Sequence, residues 1–355
     1  MKTPGKHILL TGGAGYIGSH AAISLLQTGY EVSILDNFSN SARSVVNRIE
    51  SITEKRVRVW EVDVTCATAM SQVISTSKPH AVMHFAGLKS ISESIQYPEK
   101  YHDVNINGTR NILRAMREHG VNKVIFSSSA AVYGGKSGPP IVETSKLNPE
   151  NPYAVSKAKC EQLIKDFADS HQKNAAIILR YFNPAGAYLH GSIRDAPKSS
   201  STNLIPIIAQ VAARRKKNVS VYGRNFRTPD KTGVRDYIHI ADLVSGHINA
   251  LEHLDHLSGA DVFNLGTGQG YSVLEVIDAF QTATGKHIPY VFAPRRSGDL
   301  DSIIANPSKA KKVLGWEARF GLAEMCADAW LWQECSMQLG KHSPSSPSVI
   351  TDRVM

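Results

Sequence analysis

Residues 7–18 read His7-Ile-Leu-Leu-Thr-Gly-Gly-Ala-Gly-Tyr-Ile-Gly18, and this stretch decides how the chain is organised. Ile8, Leu9 and Leu10 form a short apolar run of the kind that makes a buried strand. Gly12, Gly15 and Gly18 follow at three-residue spacing, and an amphipathic run opens at Tyr16 and Ile17 and closes near Gly29. Strand, glycine turn and helix together form a cradle for a dinucleotide. Glycines let the backbone approach a pyrophosphate, and the unpaired amides of the helix start point at its oxygens. Glycine clusters by themselves often mark only turns. The cradle also needs an acidic residue about 20 positions on. Asp36 supplies it, after the second apolar run, Val32-Ser33-Ile34-Leu35.

The chain has 355 residues, enough for two modest domains or for one large domain with an appended lobe. Apolar residues make up 42%, ample for a core. No apolar run approaches the roughly 20 residues of a membrane helix, and no leader-like segment precedes the first strand. Four cysteines, Cys66, Cys160, Cys326 and Cys335, show no C-x-x-C pairing. That usage suits a reducing cytoplasm and argues against a disulfide scaffold or a metal site. The net charge of +9 raises the question of nucleic acid. Its densest cluster, Arg214-Arg215-Lys216-Lys217, has no interleaved aromatics, so a solvated basic surface or a cleft for a phosphorylated small molecule is the better reading.

Strand-like segments near 7–11, 31–35, 57–62, 80–84 and 123–128 alternate with helix-like ones near 16–28, 67–77 and 98–119. Gly29 and Gly120 stand where helices should end. The alternation predicts an α/β fold: a doubly wound, mostly parallel, Rossmann-type sheet, with a smaller α/β substrate lobe in the C-terminal half. Ligands of such sheets lie beyond the carboxyl ends of the strands, so the residues just after each strand carry the information. Asp36, followed by Asn37, Asn40 and Ser41, suits adenosine ribose hydroxyls and would repel a 2′-phosphate, which favours NAD over NADP. An Asx turn is the plainer use of such an aspartate. Asp63 and Val64 are placed to meet the adenine edge, and a helix N-cap fits Asp63 equally well. Phe85, Ala86 and Gly87 let backbone approach the cofactor, with Lys89 reaching a phosphate and Asn105 a further contact.

After the fifth strand comes Ser127-Ser-Ser129, then a Pro/Gly/Ser-rich loop over 134–152, then Tyr153-Ala-Val-Ser-Lys157 at a helix start. Tyr153 and Lys157 are one turn apart on one helix face. A neighbouring ammonium lowers the pKa of a phenol, so the pair can act as acid and base toward an alcohol, with Ser129 holding the same oxygen. Standing alone, Tyr-x-x-x-Lys is an ordinary surface pair. Its place after a five-strand dinucleotide unit makes it chemical.

The glycine loop, Asp63, Ser129 and Tyr-x-x-x-Lys resemble the extended short-chain dehydrogenase/reductase superfamily. Longer stretches resemble its UDP-sugar 4-epimerases: Thr11-Gly-Gly-Ala-Gly-Tyr-Ile-Gly-Ser-His20, His84-Phe-Ala-Gly-Leu-Lys89, Arg180-Tyr-Phe-Asn-Pro184, Gly233-Val-Arg-Asp-Tyr-Ile-His239 and Ala293-Pro-Arg-Arg-Ser-Gly-Asp-Leu300. The likeness covers roughly residues 6–335. It implies a bound NAD, a transient 4-keto sugar and 4-epimerisation of a UDP-hexose. It implies catalytic roles for Ser129, Tyr153 and Lys157, and contacts from Tyr181 and Phe182 to the nicotinamide. It also implies contacts to the UDP-sugar from Lys89, Asn183, Asn203, Leu204, Ser220, Val221, Tyr222, Arg235, Arg296, Asp299 and Ile303.

The resemblance further implies a cytoplasmic homodimer, joined through helices 98–119 and 153–170, with no nucleic-acid or membrane partner and no metal. The domains expected are 1–180 for the cofactor and 181–335 for the UDP-sugar, some of whose segments return to the first domain, with 336–355, beyond the resemblance, as a disordered tail. The sequence departs from the family at Arg194-Asp195-Ala196-Pro197, in the approach to Asn203. It departs also at Ile303, where relatives carry either a bulky aromatic or a small residue, so acceptance of N-acetylated sugars or UDP-pentoses stays open. Ala130 and Ala131 stand where dehydratases of this scaffold carry acidic groups, which disfavours dehydration. A non-catalytic NAD sensor would not require Ser129, Tyr153 and Lys157 together.

Overall fold

A computed structural model describes residues 5–135, 138–187, 203–296 and 298–340, with the side chains of 338–340 left out. Its centre is a seven-stranded sheet. From one edge to the other the strands are Gly259–Leu265, Ala175–Tyr181, Lys123–Ser129, Ala81–His84, His7–Thr11, Glu31–Leu35 and Arg58–Trp60, all parallel. The first strand explains why its apolar run is unbroken. Ile8 and Leu10 face a core shared with helices Tyr16–Gln27, Arg43–Thr53 and Ile240–Leu254. Leu9 faces the opposite core, with helices Ala67–Ser77, Gly108–Glu118 and Pro152–Asp169. A parallel strand covered on both faces needs apolar residues at successive positions. The strand order reverses at His7–Thr11, which pairs with Glu31–Leu35 on one side and Ala81–His84 on the other. That reversal opens a crevice at the carboxyl ends of the strands.

A second layer is built on Val234–His239, which pairs with Gly270–Ser272, Ser302–Ile303 and Asn183–Ala185. A ribbon of Val219–Tyr222 and Tyr290–Ala293 lies apart from it in the sheet order. The core of this lobe gathers helices Leu204–Ala212, Val273–Thr284 and Leu322–Gly340 around Ile208, Phe280 and Met325.

Three elements differ from expectation. The helix expected over 98–119 is three pieces: Pro98–Tyr101, a widened π turn His102–Asn107, and Gly108–Glu118. The cause lies at Asn105, whose carbonyl accepts from Thr109 Oγ1 at 2.6 Å and Cys160 Sγ at 3.2 Å. Side chains inserted into the helical ladder widen it. Helix Arg43–Thr53 has no counterpart in the sequence reading, because only Val45, Val46 and Ile49 mark its buried face amid polar neighbours. The closing helix continues past residue 335 to Gly340, since Met337 extends its apolar stripe onto the lobe core. The tail expected to be disordered from 336 is therefore helical as far as 340, and the rest of it, 341–355, lies outside the described residues.

Candidate active site

The glycine loop is shaped by contact. Gly12 has φ +68°, and a Cβ there would sit 2.6 Å from the Ala86 amide nitrogen. A Cβ on Gly18 would sit 2.4 Å from the Gly12 carbonyl oxygen. Gly15 caps helix Tyr16–Gln27 with no side chain across its first turn, and its amide donates to Gly12 O at 3.1 Å. The first-turn amides of Tyr16 and Ile17 thus face the crevice where an anion fits. Tyr16 sends its hydroxyl across to Gly186 O, 2.7 Å away in the second layer.

Asp36 holds this loop from the second strand. One carboxylate oxygen accepts from the Ala14 amide at 3.0 Å, and the other accepts from the Phe38 amide and Ser41 Oγ, both at 2.9 Å. The Asx turn is present, and the same carboxylate lies at the cofactor crevice. Asn37 donates to Asp63 at 2.6 Å. Asp63 is pulled below the ordinary carboxylate range: burial pushes it up, and bonds from Thr65 and Asn37 outweigh that. The residue at the helix N-cap is Cys66, so the capping role considered for Asp63 is replaced by a turn closed on Thr65. Val64 turns its side chain into the core, against the bare Cα of Gly108. Asn40 lies in the loop that follows Asp36.

Asn105 spends its side chain on protein. Oδ1 accepts from the Leu88 amide at 2.7 Å, and Nδ2 donates to Leu88 O and to Ser156 Oγ. It shapes the 85–89 loop. Gly87, at φ +156°, lies where a Cβ would be 3.1 Å from Asn105 Oδ1 and 3.7 Å from Lys157 Nζ. Lys89 ends this loop with an exposed side chain, and the protein packed around its ammonium lowers that pKa.

Tyr153 enters from helix Pro152–Asp169, whose start is set by Asn151 Oδ1 accepting from the Ala154 amide at 2.9 Å and by Pro152 in the first turn. Ser129 ends the fifth strand, and its side chain lies near the Tyr153 phenol. Burial raises the phenol's pKa, and Ser129 opposes that. The lowering expected from Lys157 does not appear. Its ammonium, buried, points at Ser127 O, 2.7 Å away, and stands 4.8 Å from the Phe126 ring centre. Burial in turn lowers the lysine's pKa.

Tyr181 is buried beside Tyr153 and Ser127, and its hydroxyl contacts His247 Nε2. His247 Nδ1 lies 2.8 Å from Leu243 O, which only accepts, so Nε2 is the bare nitrogen and Tyr181 donates to it. Phe182 turns into a small cluster with Ala130, Val132, Tyr133, Ile141 and Ala305, against which Ile303 packs. Behind both lies Arg180, which donates to Glu161 through Nε at 2.9 Å and Nη2 at 2.6 Å, and to the Tyr133 hydroxyl at 2.9 Å. Ser128 Oγ also donates to Glu161, at 2.6 Å. The sequence reading missed this network. A buried arginine and a glutamate 19 positions apart leave no local pattern.

The second layer supplies the facing wall. Asn183 is exposed at the start of Asn183–Ala185, and Asn203 is the N-cap of Leu204–Ala212, with Leu204 packed on the lobe core. Ser220 and Tyr222 face outward from Val219–Tyr222 while Val221 is buried. Arg235 donates to Val234 O at 2.8 Å and to Leu300 O at 2.9 Å, with Asp299 Oδ1 3.8 Å away. Arg296 stacks over Tyr222, 3.7 Å from its ring centre. Asp236, adjoining Arg235 and also missed, accepts from Thr267, Gly268 and Ala305 and so fixes strand Val234–His239 against both neighbouring segments. The departure at Arg194–Pro197 lies outside the described residues.

Comparison with known proteins agrees with this arrangement. The profile of the family described as GDP-mannose 4,6 dehydratase matches residues 9–329. A UDP-glucose 4-epimerase of Bacillus subtilis (strain 168) is 47% identical over 330 residues, 93% of this chain and 97% of its own. A UDP-glucose-4-epimerase structure from Stenotrophomonas maltophila, with bound NAD and formylated UDP-arabinopyranose, superposes with a TM-score of 0.91 at 43% identity, covering 94% of this chain and 99% of that one. One from Bifidobacterium longum, in complex with NAD+ and UDP, gives 0.90 at 44% identity, covering 93% and 98%.

Proposed function

The chain belongs to the UDP-glucose 4-epimerase family of the extended short-chain dehydrogenase/reductases, and from that premise we infer that it is an isomerase that interconverts UDP-glucose and UDP-galactose with NAD as its cofactor. The observation that carries the reading is the Ser129–Tyr153 pair at the mouth of the fifth strand, beside a glycine loop with no room for a Cβ. When bound, NAD supplies the hydride acceptor, later the hydride donor, and a positive charge beside the phenol. Gly12 to Gly18 hold its pyrophosphate, and Asp36 meets the adenosine ribose. Tyr153 takes the proton of the 4-hydroxyl as hydride leaves C4, and Ser129 holds the same oxygen. After the 4-keto sugar turns over, Tyr153 returns the proton as hydride adds to the other face. Lys157 ties the helix to Ser127 and keeps a buried cation within the site.

The anchors lie on the nucleotide. Arg235 and Arg296 suit the pyrophosphate, Asp299 the uridine ribose, the Ser220–Tyr222 backbone the uracil, and Asn183 and the helix start at Asn203 and Leu204 the remaining phosphate and sugar oxygens. Binding energy placed there leaves the sugar loose enough to rotate. The cofactor side corresponds to residues 1–180 with the returning segments 240–265, and the UDP-sugar side to the rest of 181–335. A cytoplasmic homodimer completes the reading, its interface on the 98–118 and 152–169 helices, next to exposed Ile91, Ile95 and Tyr97. Light scattering at a dimer mass that drops to a monomer mass for Ile95→Glu checks that part.

Ile303 favours a second substrate range. It packs on the cluster that contains Ala130 and Phe182, the neighbours in sequence of Ser129 and Asn183, and is smaller than an aromatic. UDP-N-acetylhexosamines or UDP-pentoses are then additional substrates. Purified protein offered UDP-glucose, UDP-galactose, their N-acetyl forms and a UDP-pentose without added cofactor, followed by anomeric-proton NMR, tests both readings. Interconversion of the hexoses is expected, and an NAD-loaded protein that epimerises none of the panel would overturn them.

A further inference from the structure

A buried imidazole lies between the two halves of the chemistry. His84 ends the fourth strand, immediately before the 85–89 loop, and is 1% exposed. Its Nδ1 is 2.8 Å from Thr11 Oγ1, and its Nε2 is 2.9 Å from Thr109 Oγ1. The direction of these bonds follows from the partners. The single hydroxyl proton of Thr109 goes to Asn105 O at 2.6 Å, or alternatively to Cys160 Sγ at 3.3 Å. Toward His84 it therefore accepts, so Nε2 carries the hydrogen and Nδ1 is bare. Thr11, which must then donate to Nδ1, is the residue before Gly12, and its carbonyl takes the Phe85 amide at 2.9 Å. On the other side, the Asn105 carbonyl also accepts from the Cys160 thiol at 3.2 Å, and Asn105 Nδ2 donates to Ser156 Oγ at 2.9 Å. Ser156 and Cys160 lie in the helix that carries Tyr153 and Lys157.

We propose that His84 is a positioning residue that joins the glycine loop to the acid/base helix through the widened turn at Asn105, and so sets the separation between the cofactor and the Tyr153 phenol. The proposal rests on the epimerase reading for its rate consequence and on the cradle alone for its cofactor consequence. Burial holds the imidazole neutral, with its pKa down at about 3, which keeps the tautomer in place at every working pH. Replacing the ring with an apolar one leaves the Thr11 hydroxyl buried without its acceptor, which is costly enough to move the loop.

The test compares His84→Phe, His84→Gln and Thr11→Val with the unaltered protein. NAD content after gel filtration, steady-state kinetics on the UDP-hexose pair and melting temperature are measured for each. His84→Phe and Thr11→Val are expected to retain NAD at least about tenfold less tightly and to lose kcat while KM for the UDP-sugar stays unchanged. His84→Gln, which keeps a donor toward Thr109, should recover part of both. NAD content and kcat unchanged in His84→Phe and Thr11→Val, or losses that vanish when each is assayed well below its melting temperature, would overturn the proposal. Should the unaltered protein bind NAD without epimerising, the functional reading fails while the retention result still decides the role of His84.

Discussion

Tyr153 is the residue proposed as acid and base, and its surroundings oppose that task in the protein without cofactor. Burial raises its pKa and Ser129 recovers only part of that. In protein stripped of NAD, the phenol should therefore titrate above the ordinary tyrosine value, staying protonated as pH rises through it, and NAD binding should bring the transition down. Tyrosinate absorbance of both forms, with Tyr153→Phe subtracted, checks the direction. The same variant should keep NAD and lose activity by about a hundred- to ten-thousand-fold. Near-normal turnover would mean that another group moves the proton. These residues were readable because their demands are local: glycine where a Cβ would strike Ala86 or Gly12, and tyrosine and lysine one helical turn apart. His84 has no role that the sequence makes readable, since its partner Thr11 is 73 positions away.

At the level of elements, the helix Pro152–Asp169 must be held in register with the strand that ends at Ser129. Glu161 does this from two turns below Tyr153, receiving Ser128 and both arms of Arg180. Both members of the pair are almost fully buried. Removing one leaves an unpaired charge in the core, so Glu161→Ala should cost about 3–5 kcal/mol in stability. The double variant Glu161→Leu/Arg180→Met should cost much less than the sum of the two single changes. Denaturant titration of all three measures the difference, and additive losses would mean the pair does not act as a unit. Strong alternation made the strands and the helix 67–77 legible to within a few residues. The π turn was not, because the cause of its widening is a cysteine on another helix. Helix Arg43–Thr53 was hidden by its thin apolar stripe.

For the molecule as a whole, the end of the sheet opposite the cleft is held by one carboxylate. Asp255 meets Lys6 and Lys123, each at 2.5 Å, and His80 at 2.8 Å. Burial pushes its pKa up, but the bonds from Lys123, Lys6 and His80 overcome this and hold it far below the ordinary carboxylate range. A depressed folded-state pKa gives stability that is complete above about pH 4 and lost as pH falls further. Asp255→Asn should therefore lower the melting temperature at neutral pH and flatten its fall in acid, as a series of thermal melts would show. The sequence returns some segments beyond residue 180 to the first body without saying which, because a seven-residue strand such as Gly259–Leu265, at the edge of the first sheet, does not announce its partner. This return has a mechanical consequence. The backbone crosses between layers at Tyr181–Asn183, at His239–Ile240, after Leu265 and again before the helix Ser308–Leu314, which packs on Gly259–Leu265 and Ile240–Leu254. Two bodies stitched at so many points have no single hinge. On the proposed reading a sugar that reverses between them must fit at its widest, and the girth of Ile303, proposed to face that space, would act as a calliper on the substrates that can turn.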